Sequence, residues 1–250
     1  MEAYHNLAAS YDRLTNDVDY EAVVDFYFRI LERESLFPRT AVDLACGTGS
    51  VAILLAQRGL QVTAVDMSEE MLTEAAQKAQ SVSNLPQFVC QRLQDLSLPR
   101  GVDLAVCALD SIDYITNPAE CAQAMKRIYR VLNPGGCFIF DVNTPAKLHS
   151  MDGQVFLDED DDVYCVWRGE FDEHTNICTY GMDLFQREGK MWRRSFEEHR
   201  EYAYSADQLV GYLKAAGFTN IAVYADRSFN PPAADEQRIY LKARKGKIHE

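Results

Sequence analysis

No apolar run in the sequence approaches the roughly 20 residues that a helix needs to cross a bilayer. The longest runs, Val51 to Ala56 and Leu104 to Leu109, are far shorter. The N-terminal segment MEAYHNLAASYDRL has an acid at Glu2 and no apolar block, so it resembles neither a signal peptide nor a transit peptide. The sequence therefore predicts no membrane role.

Metal-binding and disulfide patterns are missing as well. None of the seven cysteines forms a Cys-x-x-Cys pair and the five histidines form no His-x-x-x-His, so we expect no zinc site and no other metal. Most of the cysteines lie in apolar stretches, where a free thiol behaves as a small buried hydrophobe. These are Cys46, Cys90, Cys107, Cys121 and Cys137. Reduced cysteines and a cytoplasmic location are the expectation.

Positive charge is scarce, because the sequence has 25 Lys and Arg residues but 38 Asp and Glu residues, which gives a formal net charge of −13. This balance repels phosphate backbones and argues against a general nucleic-acid binder. One stretch is basic and aromatic, and it contains Arg187, Lys190, Trp192, Arg193, Arg194, Arg200 and Tyr202. It could contact RNA, or it could be a hairpin with salt bridges across its strands, which we favour. The glutamates that would form those bridges are Glu188, Glu197, Glu198 and Glu201.

Short valine-rich runs alternate with helical stretches from residue 40 to residue 142. We predict strands at 40–45, 61–66, 87–91, 102–108 and 137–142. This alternation is typical of a parallel sheet covered by helices, which is an α/β fold.

The pattern changes after Pro145. Residues 163–186 and 185–202 predict two hairpins with polar turns and long strands. A helix capped by Ser205 and two strands near 219–225 and 236–243 then complete the main sheet. We therefore predict one domain formed by residues 1–145 and 204–250, interrupted by an antiparallel β subdomain at 146–203 that would bind an acceptor.

The segment TAVDLACGTGSVAILLAQRG, residues 40–59, predicts a strand that turns sharply into a helix. Such a turn directs free backbone N–H groups at a ligand, and Gly47 and Gly49 allow the ligand to approach closely. Asp66 ends the next strand, where a carboxylate can accept both hydroxyls of an adenosine ribose. Together these residues predict a site for an adenosine whose other end carries a negative group.

A dinucleotide is the rival ligand, because GTGSVA also satisfies Gly-x-Gly-x-x-Gly/Ala with Ala52 in the third place. Asp43 lies in the strand just before the bend, where it would repel a pyrophosphate. It would attract the ammonium and sulfonium groups of S-adenosylmethionine (SAM). Asp43 therefore favours SAM.

The ordered segments VDLACGTGSVAILLAQRG, VTAVDMSEEML, LQDLSLP and RVLNPGGCFIFDV resemble the signature segments of class I SAM-dependent methyltransferases. The resemblance implies a Rossmann-like seven-stranded sheet with an antiparallel final strand, flanked by helices. It places Asp43, Ala45 and Gly47 along the methionine moiety of the cofactor and Asp66 at the ribose. It also places Met67 and Leu96 on the adenine faces and Asp95 at the adenine amino group.

Two more segments are similar to small-molecule members of that family. YHNLAASYDRL resembles a lid, within the lid helices expected at residues 1–37, in which Tyr11 covers the methionine carboxylate. CALDSIDYI resembles the fourth signature segment and places Asp110 near the transferred methyl group. Asp113 stands where the resemblance leads one to expect asparagine.

The candidate catalytic residues are Asp110, Tyr114, Asn143 and His199. Asp110, Asp113 and Asn143 follow the ends of the fourth and fifth strands, so we expect them around the reacting centre. A base is needed only if the nucleophile loses a proton, and His199, Tyr114 or Asp110 could then accept it.

The sequence leaves three functions open. The favoured one is methyl transfer from SAM to a small-molecule acceptor. The second is a tRNA- or protein-directed methyltransferase. The third is an NAD-dependent oxidoreductase or a nucleotide sensor without catalysis.

Overall fold

A computed structural model of the chain describes residues 18–159 and 161–247. The predicted lid residue Tyr11 and the other residues before position 18 lie outside the described residues. The described helices are α1 (Tyr20–Arg33), α2 (Ser50–Gln57), α3 (Glu69–Lys78), α4 (Pro118–Val131), α5 (Pro145–Ser150) and α6 (Ala206–Ala216).

The main-sheet strands are β1 (Thr40–Leu44), β2 (Gln61–Asp66), β3 (Gln87–Cys90), β4 (Val102–Cys107), β5 (Leu132–Asn143), β10 (Phe218–Ala225) and β11 (Arg238–Lys245). The inserted strands are β6 (Val155–Glu159), β7 (Val163–Asp172), β8 (Ile177–Glu188) and β9 (Met191–Tyr202).

The seven-stranded sheet has the order β10-β11-β5-β4-β1-β2-β3. The pairs among β1 to β5 are parallel, whereas β11 is antiparallel to both β5 and β10. The predicted Rossmann-like α/β fold with an antiparallel final strand is therefore confirmed. In this topology the carboxyl ends of β1, β2, β4 and β5 meet at one edge, which is where ligands bind in such sheets.

Polar side chains cap the starts of two helices. Ser68 Oγ accepts the Met71 N–H at 3.2 Å at the start of α3, and Asn117 Oδ1 accepts the Ala119 N–H at 3.0 Å at the start of α4. Glu120, in the first turn of α4, accepts hydrogen bonds from the side chains of Arg92 and Gln94.

Apolar side chains pack on both faces of the main sheet. One face packs against α1 and α2, and the other against α4 and α6. All seven cysteines are free, but Cys90 is exposed and Cys46 is half-buried, so the expectation that both lie in the core is wrong. No helix among the described residues combines the length and the apolar surface that crossing a membrane requires.

The inserted segment forms a separate four-stranded antiparallel sheet with the order β6-β7-β8-β9. The two predicted hairpins are β7–β8 and β8–β9, while α5 and β6 were not predicted. Its burial alternates along β9, where Glu197, His199 and Glu201 are buried and Glu198 and Arg200 are exposed. The buried side, called the inner face below, includes the buried Glu197, His199 and Glu201 and the half-buried Trp167 and Tyr180.

Candidate functional site

The bend after β1 uses left-handed backbone at three positions. Ala45, Gly47 and Gly49 have φ angles of 52°, 52° and 77°. A Cβ at Gly47 would meet no atom within 4 Å, whereas a Cβ at Gly49 would lie 3.0 Å from Ala75 Cβ. Gly47 therefore leaves open space beside the bend, and Gly49 permits close packing of α2 against α3.

Asp66 fixes the bend from the end of β2. Its Oδ2 accepts the Gly47 N–H at 2.8 Å and its Oδ1 accepts the Ser68 N–H at 2.9 Å. Each oxygen keeps a second lone pair, so the carboxylate can still accept two hydroxyl groups. Burial raises the pKa of Asp66, against the effect of the backbone N–H groups that favour its charged form.

Asp43 lies beneath the bend and is 1% exposed. Its Oδ2 has no hydrogen-bond partner among the described residues. Burial, with a contribution from Asp66, raises the pKa of Asp43 to about 8. An unpaired buried carboxylate is costly in the ligand-free protein, and a cation or N–H donor nearby would relieve that cost. The pair of Asp43 and Asp66 therefore suits a cationic nucleoside better than a pyrophosphate.

The residues predicted to surround an adenine differ in exposure. Met67 is 59% exposed just beyond β2, so its side chain is free to cover a ring. Asp95 is exposed at the end of a short 3-10 turn. Leu96, however, is 1% exposed and packs in the core, which leaves only its main chain to face a ligand.

The loop after β4 contains two consecutive non-glycine residues with positive φ, Leu109 at 53° and Asp110 at 52°. The buried Asp141 carboxylate accepts the Leu109 N–H at 2.9 Å and the Asp110 N–H at 3.1 Å. Arg238 Nη1 also binds Asp141, and Arg238 Nη2 donates to Asp110 Oδ1 at 2.5 Å. Asp110 is thus held at the edge of the sheet, but it is ion-paired with Arg238, which the sequence had not indicated.

Asp113 lies below this loop and is fully buried. Its Oδ2 accepts the main-chain N–H of Asn143 at 2.8 Å, and its carbonyl accepts the Tyr202 N–H at 2.7 Å. Asp113 therefore connects the loop after β4, the end of β5 and the last residue of the inserted sheet.

The inner face of the inserted sheet reaches the same edge. Asn143 Nδ2 donates to Glu201 Oε2 at 2.9 Å, and Tyr114 Oη lies 3.4 Å from His199 Nδ1. His199 Nε2 lies 3.5 Å from Glu197 Oε2. The structure therefore brings Tyr114, Asn143 and His199 together with Glu201.

Part of the basic stretch lies in ion pairs. Arg193 pairs with Glu188 at 3.0 Å, and Arg194 and Arg168 both bind Asp183. The predicted salt bridges across strands are thus present at Glu188. They are wrong for Glu197 and Glu201, which lie on the inner face and contact His199 and Asn143.

Comparison with known proteins identifies the family of the chain. Residues 41–136 match the family model "Methyltransferase domain". The sequence is 32% identical to that of a S-adenosylmethionine-dependent methyltransferase from Clostridium acetobutylicum ATCC 824 whose crystal structure is known. The TM-score is 0.88, and the match covers 98% of this chain and 100% of that one.

Two relatives are similar along most of their length. "Putative methyltransferase YqeM" of Bacillus subtilis (strain 168) is 30% identical over 246 residues, or 98% of each chain. The demethylmenaquinone methyltransferase of Staphylococcus aureus (strain JH9) is 29% identical over 243 residues, covering 90% of this chain and 86% of its own.

Proposed function

The chain belongs to the class I SAM-dependent methyltransferases, and we propose that it methylates a small molecule held between the carboxyl edge of the main sheet and the inner face of the inserted sheet. The observation that carries this proposal is the hydrogen bond between Asn143 and Glu201 at 2.9 Å. It places the inner face directly beside the ends of β4 and β5. An acceptor there would lie between the edge of the main sheet and the inner face, and an enclosed site of this kind suits a small molecule.

The cofactor would lie across the bend after β1. Asp43, Ala45, Gly47 and Gly49 would line its methionine moiety, Asp66 would bind its ribose, and Met67, Asp95 and the Leu96 main chain would surround its adenine. The bound cofactor supplies a methyl group on a sulfonium, which leaves as a neutral thioether. The unpaired Oδ2 of Asp43 and the open space beside Gly47 support this fit.

Asp110, Tyr114, Asn143 and His199 would then surround the acceptor. With a leaving group that good, the main task of these residues is to align the nucleophile and exclude water. Alignment alone can contribute about 7 to 11 kcal/mol to catalysis. The relative named as a demethylmenaquinone methyltransferase also acts, by its name, on a small molecule.

A macromolecular acceptor is less consistent with the charges. Arg168, Arg193 and Arg194 pair with Asp183 and Glu188, and the formal net charge of −13 repels phosphate backbones. The free cysteines, five of them buried, fit a cytoplasmic location, where thiols stay reduced.

The test is a partition experiment with SAM that carries a tritiated methyl group. The protein is incubated with a bacterial extract, and the products are separated by ultrafiltration. We expect the label in the low-mass filtrate. Label confined to protein or RNA in the retentate would overturn the small-molecule proposal.

Calorimetry with NAD, SAM and the demethylated product of SAM tests the identity of the cofactor. We expect SAM and its demethylated product to bind and NAD not to bind.

A further inference from the structure

The inner face of the inserted sheet is unusual because it buries ionisable side chains in a row. Glu197, His199 and Glu201 are 3%, 1% and 4% exposed, whereas Glu198 and Arg200 between them are exposed. Burying a charged side chain is costly unless a partner compensates for it. The same face also buries Cys178 and Met182, the cross-strand partners of Glu201 and Glu197, so it combines apolar and ionisable side chains and suits a ligand with a polar group.

Carboxylates outnumber cations where this face meets the loop after β4. Arg238 is committed to Asp110, Asp141 and Asn143. Among the described residues, no Lys or Arg forms an ion pair with Asp113 or Glu201. Lys147 influences Glu201 electrostatically, but only from beyond ion-pair distance. Burial and the neighbouring acids raise the pKa of both Asp113 and Glu201, so a cation or N–H donor placed here would stabilise their ionised forms.

A second feature points to a ligand at this place. Asp113 is fully buried, and its Oδ1 has no hydrogen-bond partner among the described residues. Burial raises the pKa of Asp113 well above its ordinary value, and the nearby acids Glu201 and Asp110 raise it further. A buried acceptor without a donor calls for an N–H group or a cation close by.

Aromatic rings complete the environment. The ring centroids of Trp167 and Tyr114 lie 5.9 and 6.0 Å from the ring centroid of His199. The ring centroids of Tyr180 and Trp167 are 6.5 Å apart. Carboxylates combined with aromatic faces are the combination that binds organic ammonium groups. A carboxylate or phosphate acceptor would instead bring further negative charge to a region in which neighbouring acids already raise the pKa of Asp113 and Glu201.

We propose that the acceptor is an amine and that Glu201 accepts the proton that its ammonium form must lose. This inference rests on the proposed small-molecule function. The ammonium enters as R-NH₃⁺ and transfers one proton to the Glu201 carboxylate, which leaves a neutral amine. Its nitrogen lone pair forms the N–C bond with the methyl carbon, while the electron pair of the S–C bond stays on sulfur. The products are the N-methylammonium ion and the neutral thioether.

The surroundings of Glu201 suit this role. Burial and the nearby Asp110 raise the pKa of Glu201 to about 8, so it can hold a proton near neutral pH. The titratable and charged groups that face it are Asp110, Asp113, Lys147, Cys178, Tyr180 and Arg238. An arriving ammonium lowers the pKa of Glu201 and so favours the ionised form that takes the proton.

The experiment uses SAM with a ¹³C-labelled methyl group, the full chain and a bacterial extract. The ¹³C chemical shift of the transferred methyl group identifies the atom that bears it without identifying the compound. We expect an N-methyl signal in the low-mass filtrate. An O-, S- or C-methyl signal in that filtrate would overturn the amine acceptor but not the small-molecule function. Signal only in the macromolecular retentate would overturn both.

Variants test the role of Glu201 separately. Glu201→Gln retains an acceptor for Asn143 but cannot take a proton, so the transfer rate should fall about 10²- to 10⁴-fold. The rising limb of the pH profile of kcat/KM, expected near 8 in the wild-type protein, should disappear. Glu198→Gln on the exposed side of β9 is the matched control and should keep the rate and the profile. A Glu201→Gln protein that is slower but keeps the rising limb would assign Glu201 a structural role only.

Discussion

The carboxylate of Asp66 accepts the main-chain N–H of Gly47 at 2.8 Å, across nineteen positions of the chain. This hydrogen bond joins the end of β2 to the bend after β1. It therefore fixes the geometry of the bend before a ligand arrives. The same carboxylate retains the lone pairs that a ribose would use.

Asp66→Ala should weaken binding of the demethylated cofactor by about 1 to 3 kcal/mol, the usual scale for a lost charged hydrogen-bond partner. Isothermal titration calorimetry measures this change. Asp161→Ala, which changes an exposed loop aspartate of the inserted sheet, is the control and should bind as the wild type does. Equal affinity of the two variants would remove Asp66 from the cofactor site.

The glycines of the bend should respond differently to substitution. Gly47→Ala and Gly49→Ala both place a Cβ on left-handed backbone, which costs about 1 to 2 kcal/mol. Only the second also places a methyl group 3.0 Å from Ala75 Cβ. We expect Gly49→Ala to lower the Tm more and Gly47→Ala to lower cofactor affinity more. Thermal unfolding and calorimetry separate the two effects, and a Gly47→Ala protein with wild-type affinity would contradict the assignment.

Arg238→Gln should destabilise the protein by about 3 to 5 kcal/mol, because Asp141 would be left buried without its cationic partner. The amide hydrogens of Leu109 and Asp110 should also exchange faster, since their strained loop depends on Asp141. Denaturant titration and hydrogen exchange measure these changes. Arg92→Gln is the control, because its pair with Glu120 is half exposed and contributes about 0 to 1 kcal/mol. Similar losses in both variants would contradict this interpretation.

Asp43 should make the ligand-free protein less stable as pH rises. Its pKa is about 8 in the folded state, against 3.8 for an ordinary aspartate. The folded state therefore binds more protons between these values, and its free energy of unfolding falls across that window by up to about 1.4 kcal/mol per pH unit. Asp43→Asn should remove this contribution, so the stability difference between Asp43→Asn and wild type should grow from pH 4 to pH 8. Parallel stability curves would show that Asp43 does not titrate in this way.

Much of the geometry of the proposed cofactor site could be predicted because its residues lie close together along the chain. Asp43, Gly47 and Gly49 lie within one strand and its bend, and Asp66 ends the next strand. Spacing along the chain therefore placed them correctly relative to each other. Leu96 shows the limit of this reasoning, since a residue beside a loop can turn its side chain into the core.

The proposed acceptor site was harder to predict from the sequence because its contacts join distant parts of the chain. Arg238 reaches Asp110 across 128 positions, and Glu201 reaches Asn143 across 58. Asp141 offered one signal, an acid within the apolar run CFIFDV, but its partners depend on β11 pairing with β5. Glu197 and Glu201 alternate with exposed residues, and that pattern alone does not show which side of a hairpin is buried.

The two chain connections of the inserted sheet to the main domain meet at one residue, Asp113. The chain leaves β5 at Asn143 and returns at Tyr202, and both residues are hydrogen-bonded to Asp113. The whole segment between them can therefore vary in length and sequence without altering the bend after β1. If the inserted sheet binds the acceptor, as we propose, relatives with this architecture can differ in acceptor specificity while the bend after β1 keeps its geometry.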